Sequence, residues 1–241
     1  MLAGSAVLST GGFGIGMGAS PLLLLFLDPQ SVVVMINTVA LALFFLMLLQ
    51  TRRSLPAREM TAVSVAGVMG VPLGVWVLSS ANDSALRIGI TGLIILMALS
   101  VGMGTHRKVA LPRLLGPLLG LVVGMLVASL AIGGPLLVVF LLARDWTRHA
   151  VRASLSFYFL AIHLVSVVGY AVAGLFTTDR IVVILVVAAP ALLGFGLATF
   201  VVRRVSEQTF RQGALAVIVL TSLMVLAREV LSLWGLHQDA F

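Results

Sequence analysis

Long apolar runs, separated by short polar turns, fill the chain from end to end. The runs cover about 1–27, 31–50, 61–80, 84–104, 114–143, 150–175, 181–202 and 210–234, and roughly 20 apolar residues suffice for a helix to span bilayer hydrocarbon. The interruptions are brief and punctuated: Asp28-Pro29, Thr51 to Glu59 around Pro56, Ala81-Asn82-Asp83, Thr105 to Arg113, Arg144 to His149, Thr177 to Arg180, and Arg203 to Gln208. The pattern predicts eight helical segments and an all-α integral membrane protein.

Two of the runs are broken. Gly11-Gly12-Phe13-Gly14-Ile15-Gly16-Met17-Gly18-Ala19-Ser20-Pro21 places five glycines ahead of Ser-Pro. Glycine raises the entropy cost of a helix and proline removes a backbone donor, so the helix is predicted to break and restart, with Ser20 as N-cap and Pro21 in the first helical position. Ala131-Ile132-Gly133-Gly134-Pro135 repeats the arrangement with a weaker cap. Pro21 precedes Leu-Leu-Leu-Leu-Phe-Leu and Pro135 precedes Leu-Leu-Val-Val-Phe-Leu, an offset of 114 residues; Ser84 to Gly89 matches Gln208 to Gly213 at an offset of 124, and Gly70 falls on Gly194. Two repeats of four segments are expected, 1–105 and 106–241, in one integrated transmembrane domain. Internal duplication of this kind is common in secondary transporters.

Charge then bears on topology. If all eight segments crossed, the connections on the two sides would hold equal numbers of Lys and Arg, and the positive-inside rule would return no answer. If the broken first segment of each repeat instead enters and returns on one side, Arg52, Arg53, Arg58, Arg107, Lys108, Arg113, Arg144, Arg148, Arg152, Arg203, Arg204 and Arg211 share a side, and only Arg87, Arg180 and Arg228 lie opposite. That bias makes each repeat one re-entrant hairpin or broken helix plus three crossings. The repeats are then inverted, with both termini outside.

Composition fits this picture. The chain is 61% hydrophobic and 10% charged, against about 25% charged for a soluble domain, and its mean hydropathy is +1.20. The net charge of +7 does not indicate nucleic acid, because the basic residues sit in short clusters between apolar runs rather than on a continuous patch. With no cysteine there is no disulfide, thiol chemistry or Cys-based metal site. One histidine beside Asp239 in the C-terminal tail is no metal site either, and no cofactor is expected. Met1-Leu2-Ala3-Gly4-Ser5 lacks a positive n-region, so a cleaved signal peptide is not expected. Gly14-Ile15-Gly16-Met17-Gly18-Ala19 fits a loose dinucleotide pattern but lacks the preceding strand and the acidic ribose partner.

A helix that restarts at membrane depth leaves unpaired N–H groups and a positive dipole end. Two inverted restarts would aim these ends at each other near the midplane, an anion site built without a buried cation. The segment cores hold no Asp, Glu or Lys, whereas a cation carrier would need a carboxylate there. Candidate contacts are Gly16, Gly18, Ala19, Ser20 and Pro21 on the first break and Gly133, Gly134 and Pro135 on the second, with Asn37, Thr38, Ser129, Ser154 and Ser156 as hydroxyl or amide donors. The competing reading is that the glycines only let helices pack closely. On the sixth segment Arg152, Ser156, His163, Ser166 and Tyr170 recur on one helical face. His163, near the middle of that segment, is a proton-coupling candidate, against the alternative of a histidine bonded to a neighbouring helix. Arg152 is a candidate for drawing anions in from the cytoplasm, against the alternative of snorkelling to lipid. Trp76, Trp234 and Tyr170 read as interface anchors, and Arg228-Glu229 as a neighbouring pair.

At these residues the chain resembles the TauE/SafE family of membrane permeases. The resemblance rests on the duplicated halves, each opening with a Gly-rich element that ends in a small residue and Pro, then an apolar run, a short polar turn and a segment starting near Ala/Asn-Thr/Ser: Gly14 to Pro21 with Asn37-Thr38, and Gly133 to Pro135 with Ala153-Ser154. It covers nearly the whole length. The chain departs from the pattern at Val127-Ala128-Ser129-Leu130-Ala131, where most of the expected glycines are replaced. The resemblance implies a secondary transporter, typically an exporter, of sulfite, sulfoacetate or other organosulfonates across a bacterial or archaeal inner membrane. The alternatives are an importer of a related small anion, a structural or assembly protein of the membrane, and an intramembrane enzyme using His163 with a serine; the last has no acid orienter or metal cluster. The partners expected are the anion and the lipid bilayer, with no nucleic acid and with a homodimer left open.

Overall fold

The computed structural model describes residues 15–102, 115–142, 146–201 and 222–227. Its helices are α1 (Ile15–Leu23), α2 (Pro29–Thr51) with a 3-10 turn at Arg52–Ser54, α3 (Ala57–Ser80), α4 (Asp83–Gly102), α5 (Leu115–Leu130), α6 (Gly134–Leu142), α7 (Arg148–Val172) and α8 (Thr178–Val201); 222–227 are also helical. No strand occurs among the described residues. Gly11 to Gly14 of the first break, the connections Thr105 to Arg113 and Arg203 to Gln208, Arg144, Asp145, and Arg228, Glu229, Trp234 and the C-terminal tail lie outside the described residues.

Pro29–Ser54, Ala57–Ser80 and His149–Val172 are long and apolar enough to cross a membrane by length and composition. Their ends follow from local chemistry. The Asp28 carboxylate accepts the Ser31 N–H at 2.8 Å with Pro29 in the first helical turn, which closes the α2 N-terminus. Thr147 does the same for α7, its hydroxyl accepting the Ala150 N–H at 3.2 Å. After α7 the chain turns through Gly174 at φ 69°, with Leu175 N donating to Tyr170 O at 2.9 Å and Gly174 N to Ala171 O at 3.2 Å. That paired bond set is a glycine C-terminal stop.

By contrast the described parts of α1 and α6 have nine residues each, Ile15–Leu23 and Gly134–Leu142. A Cβ on Gly133 would lie 2.9 Å from the Val123 and Val127 side chains, and one on Gly116 would lie 2.9 Å from Phe140 Cζ. Gly133 therefore sits beside the last turns of α5 and Phe140 beside its first turn, so α6 runs back along α5 as a hairpin. The tip of that hairpin is Ala131, which holds φ 58°, a left-handed conformation that costs a non-glycine residue about 1–2 kcal/mol.

α3 and α5 pack backbone to backbone. Methyl groups placed on Gly70, Gly74, Gly120 or Gly124 would overlap the carbonyls of Leu121, Met125, Val63 and Gly67 respectively. Glycine is what permits that approach. α7 is tied to the same pair: the Tyr158 hydroxyl donates to Gly120 O and the Tyr170 hydroxyl to Ala128 O, both at 2.6 Å. Tyr170 is fully buried, which corrects its expected place as an interface anchor; a carbonyl of α5 satisfies its hydroxyl. Trp76 is 66% exposed on the outer face of α3.

Contacts also give the helix directions. α2 and α7 are antiparallel, since Ser31 meets Arg180 just beyond α7, Asn37 meets His163 and Phe44 meets Phe159. One end of the bundle gathers Asp28, Arg87 and Arg180. Arg180 bonds to Asp28 Oδ2 at 3.3 Å, Gln30 Oε1 at 3.1 Å, Ser31 Oγ at 2.8 Å and Leu175 O at 3.0 Å, while Arg87 donates to the Leu24 and Leu27 carbonyls at the close of α1. At the other end the Arg52–Ser54 turn packs against α7.

Candidate functional site

The first break differs from its expected form. α1 already runs as a helix from Ile15 to Leu23 with Pro21 inside it, so Ser20 is not an N-cap. Pro21 supplies no N–H to the carbonyl four residues back, and the helix closes within a turn, with Leu24 N donating to Ser20 O at 2.9 Å and Leu27 N to Leu23 O at 2.8 Å. The second break is as expected: α6 begins at Gly134 with Pro135 next, where the missing proline donor costs nothing.

The two breaks meet. A cavity of about 30 Å³ is lined by Gly16 of α1, by Val127, Ala131, Gly133 and Gly134 around the α5–α6 tip, by Ile36, Ala40 and Phe44 of α2, and by Phe159 and His163 of α7. This is room for one or two water-sized groups. Gly16 presses on the Ala131 carbonyl so closely that a Cβ there would overlap it.

Among the described residues that line the cavity, His163 is the one titratable side chain. It is 4% exposed and lies against two phenyl rings, Phe44 at 5.3 Å and Phe159 at 6.0 Å between centroids. Its Nδ1 is 2.7 Å from Asn37 Oδ1. The Asn37 amide nitrogen donates to Val33 O at 2.9 Å and Val127 O at 3.2 Å, so the amide cannot be turned round without setting its oxygen against two carbonyls. Asn37 Oδ1 is therefore an acceptor, and His163 carries its proton on Nδ1. Nε2 is left as an acceptor when the ring is neutral and a second donor when it is charged. Asn37 also ties α2 to the last turn of α5, beside the hairpin tip.

The remaining expected residues divide. Thr38, Ser129 and Ser156 each donate to the carbonyl four residues back on their own helix, Val34 at 2.7 Å, Met125 at 2.8 Å and Arg152 at 2.7 Å, so as donors they are already engaged. Ser20 and Ser154 are fully buried, and among the described residues their hydroxyls have no partner; neither lines the cavity. Gly18, Ala19 and Pro21 lie inside α1, with Ala19 and Pro21 buried, and Pro135 is buried at the start of α6. Arg152 lies in the first turns of α7 with a buried Nε that has no partner among the described residues, and it is not among the residues that line the cavity. The inward face of α7 is realised, with Ser156, Ser166 and Tyr170 fully buried alongside His163. Sequence reasoning missed the apolar wall of Ile36, Ala40, Phe44 and Phe159, which nothing distinguishes from other apolar positions in segments this hydrophobic.

Among the described residues no cluster of three or more His, Asp or Glu could hold a metal. Comparison with curated proteins finds no match. Comparison with solved structures likewise finds none. Against protein-family models, residues 1–225 match sulfite exporter TauE/SafE. The chain is thus a multi-pass membrane protein that belongs to the TauE/SafE family of sulfite exporters.

Proposed function

We propose that the chain exports sulfite, or a small organosulfonate such as sulfoacetate, across a bacterial or archaeal inner membrane, and that the cavity between the α1 and α5–α6 tips is where the anion is held. One observation carries this: Gly16 from the first broken segment and Gly133 and Gly134 from the second line one small cavity together with His163. The anion would be met by N–H groups at the start of α6, where the helix dipole favours negative charge, beside Gly16 of α1. His163 would take up or give a proton at Nε2, positioned by Asn37. Ser20 and Ser154 hold hydroxyls in reserve for a rearranged state. A cavity of about 30 Å³ is too tight for sulfite with any shell of contacts, so the Gly16–Ala131 contact has to part during passage.

The same reading makes 1–105 and 106–241 inverted repeats. It is supported by the paired lengths of α2 and α7, 23 and 25 residues. The matching N-caps Asp28 and Thr147 and the antiparallel course of α2 and α7 agree with it. Because the chain has no cysteine, Arg113→Cys and Asp145→Cys can be labelled directly. Both are expected to react from the cytoplasm and Asp83→Cys from outside; labelling of Arg113→Cys and Asp145→Cys from opposite sides contradicts the re-entrant hairpin. Thermal shift in detergent against an anion panel tests binding: stabilisation by sulfite or sulfoacetate supports the site, and a flat response to every anion speaks against it.

A further inference from the structure

We infer that Arg180 and Arg87 form a clasp that locks the α1–α2 corner to the bundle, and that release at Arg180 is the step that lets the Gly16–Ala131 contact part. The inference rests on the transport reading, which needs that contact to open. The corner is short, Leu24 to Ser31, and both arginines reach it from other helices. Arg87 of α4 donates to the Leu24 and Leu27 carbonyls, where a cation also meets the negative end of α1. Arg180, in the first turn of α8, bonds to Asp28 Oδ2 at 3.3 Å, Gln30 Oε1 at 3.1 Å and Ser31 Oγ at 2.8 Å, and to the Leu175 carbonyl of the α7–α8 turn at 3.0 Å. Gln30 passes the tie on, its Nε2 donating to Leu78 O near the end of α3 at 3.1 Å. One corner is thereby fastened to α3, α4, α8 and the end of α7.

The fastenings of this molecule are of two kinds. Among α3, α5 and α7 they are buried and tight: glycine backbones in contact, and the Tyr158 and Tyr170 hydroxyls on α5 carbonyls. Separating these helices would strand hydroxyls and carbonyls in an apolar core, so they are the frame. The clasp instead is polar and reaches the surface, with the Asp28 side chain 43% exposed and that of Arg180 17% exposed. Such groups exchange their partners for water at small net cost, so the clasp can open while the frame stays intact. Gly16 lies on α1 about two turns before the corner, and the carbonyl it presses on, that of Ala131, follows directly from α5. A shift of the corner therefore moves one side of the cavity contact while the frame holds the other.

The test reads access to the cavity. Ala40→Cys puts a single thiol in the cavity wall of a chain without cysteine. Full-length protein in right-side-out and in inside-out membrane vesicles is treated with a membrane-impermeant thiol reagent; the clasp side is the side from which Asp83→Cys reacts, since Asp83 opens the helix that carries Arg87. Adding Arg180→Gln is expected to speed labelling from the clasp side by about tenfold or more, the shift that losing a bond to a charged group gives, and to leave labelling from the opposite side no faster. Arg180→Lys, which keeps the charge but not the fork of donors, is expected to fall between. Equal rates with and without Arg180→Gln overturn the inference, and so does a rise from both sides, because general loosening opens both ends. A second arm decides if Arg180→Gln does not insert: in proteoliposomes, Asp28→Cys/Arg180→Cys bridged by a reducible bifunctional thiol reagent is expected to lose sulfite flux and to regain it on reduction. Bridged protein that carries sulfite at the unbridged rate overturns the inference. Side-selective labelling in a protein whose wild type carries no sulfite leaves the clasp standing and removes the transport reading.

Discussion

His163 Nδ1 and Asn37 Oδ1 lie 2.7 Å apart in the buried interface between α2 and α7, and through Val127 O the same asparagine reaches the end of α5. One amide thus orients the cavity's imidazole and holds the tip beside it. Asn37→Leu keeps the volume but leaves the Nδ1–H and the Val127 carbonyl without a partner, at a cost of about 1–3 kcal/mol for such a group. A lower unfolding midpoint in detergent is expected, together with loss of sulfite flux. An unchanged midpoint would mean that water or another side chain takes over the bond.

Gly124 faces Gly67 across the α3–α5 contact with no room for a methyl group, whereas a Cβ on Gly92 in α4 would meet nothing within 4 Å. Gly124→Ala is expected to destabilise by about 1–3 kcal/mol through overpacking. Gly92→Ala is expected to be neutral or to stabilise by up to about 1 kcal/mol through helix propensity. Comparing the two midpoints separates backbone contact from glycine content.

Ala131 holds φ 58° at the hairpin tip. Ala131→Gly relieves that strain and should stabilise the protein by about 1 kcal/mol, read as a raised unfolding midpoint. A lowered midpoint would show that the alanine methyl group contributes more through packing than its backbone costs.

Asp28 predicts an acid dependence. Burial pushes its carboxyl pKa upward, but hydrogen bonds from Ser31 and the charge of Arg180 outweigh this and leave it below the ordinary 3.8. A depressed folded pKa contributes stability that is fully present above the unfolded value and is lost as pH falls through the folded one. The unfolding midpoint of the wild type should therefore drop below about pH 4 more steeply than that of Asp28→Asn. Equal slopes would mean that Asp28 is not stabilised by its partners.

Much of this architecture is readable from the chain itself, and the parts that are not have a common cause. The run at 31–50 became α2, Pro29–Thr51, and the run at 61–80 became α3, Ala57–Ser80, because bilayer-length apolar runs bounded by Asp-Pro or Pro turns leave little freedom. Gly133-Gly134-Pro135 marked the second tip for the same kind of reason. Ser20 was misplaced as a cap because Ser-Pro has the same local preference whether a helix starts there or is about to end. That Gly124 faces Gly67, while Gly70 and Gly74 meet the Leu121 and Met125 carbonyls and Gly120 that of Val63, needed the fold, since glycine spacing announces a close contact without naming its partner. Phe44 and Phe159, which stack on His163, are invisible in sequence because lipid-facing and cavity-facing apolar residues look alike where almost every position is apolar.

The central claim is that an anion passes between the tips of α1 and α5–α6, and sulfite flux through proteoliposomes carrying wild type or Gly16→Val measures it most directly. Valine at position 16 adds its side chain where even a Cβ overlaps the Ala131 carbonyl. Wild type should carry sulfite well above empty liposomes, and Gly16→Val, if still monodisperse and inserted, should fall to the level of empty liposomes. Folded Gly16→Val that carries sulfite at the wild-type rate would contradict the account.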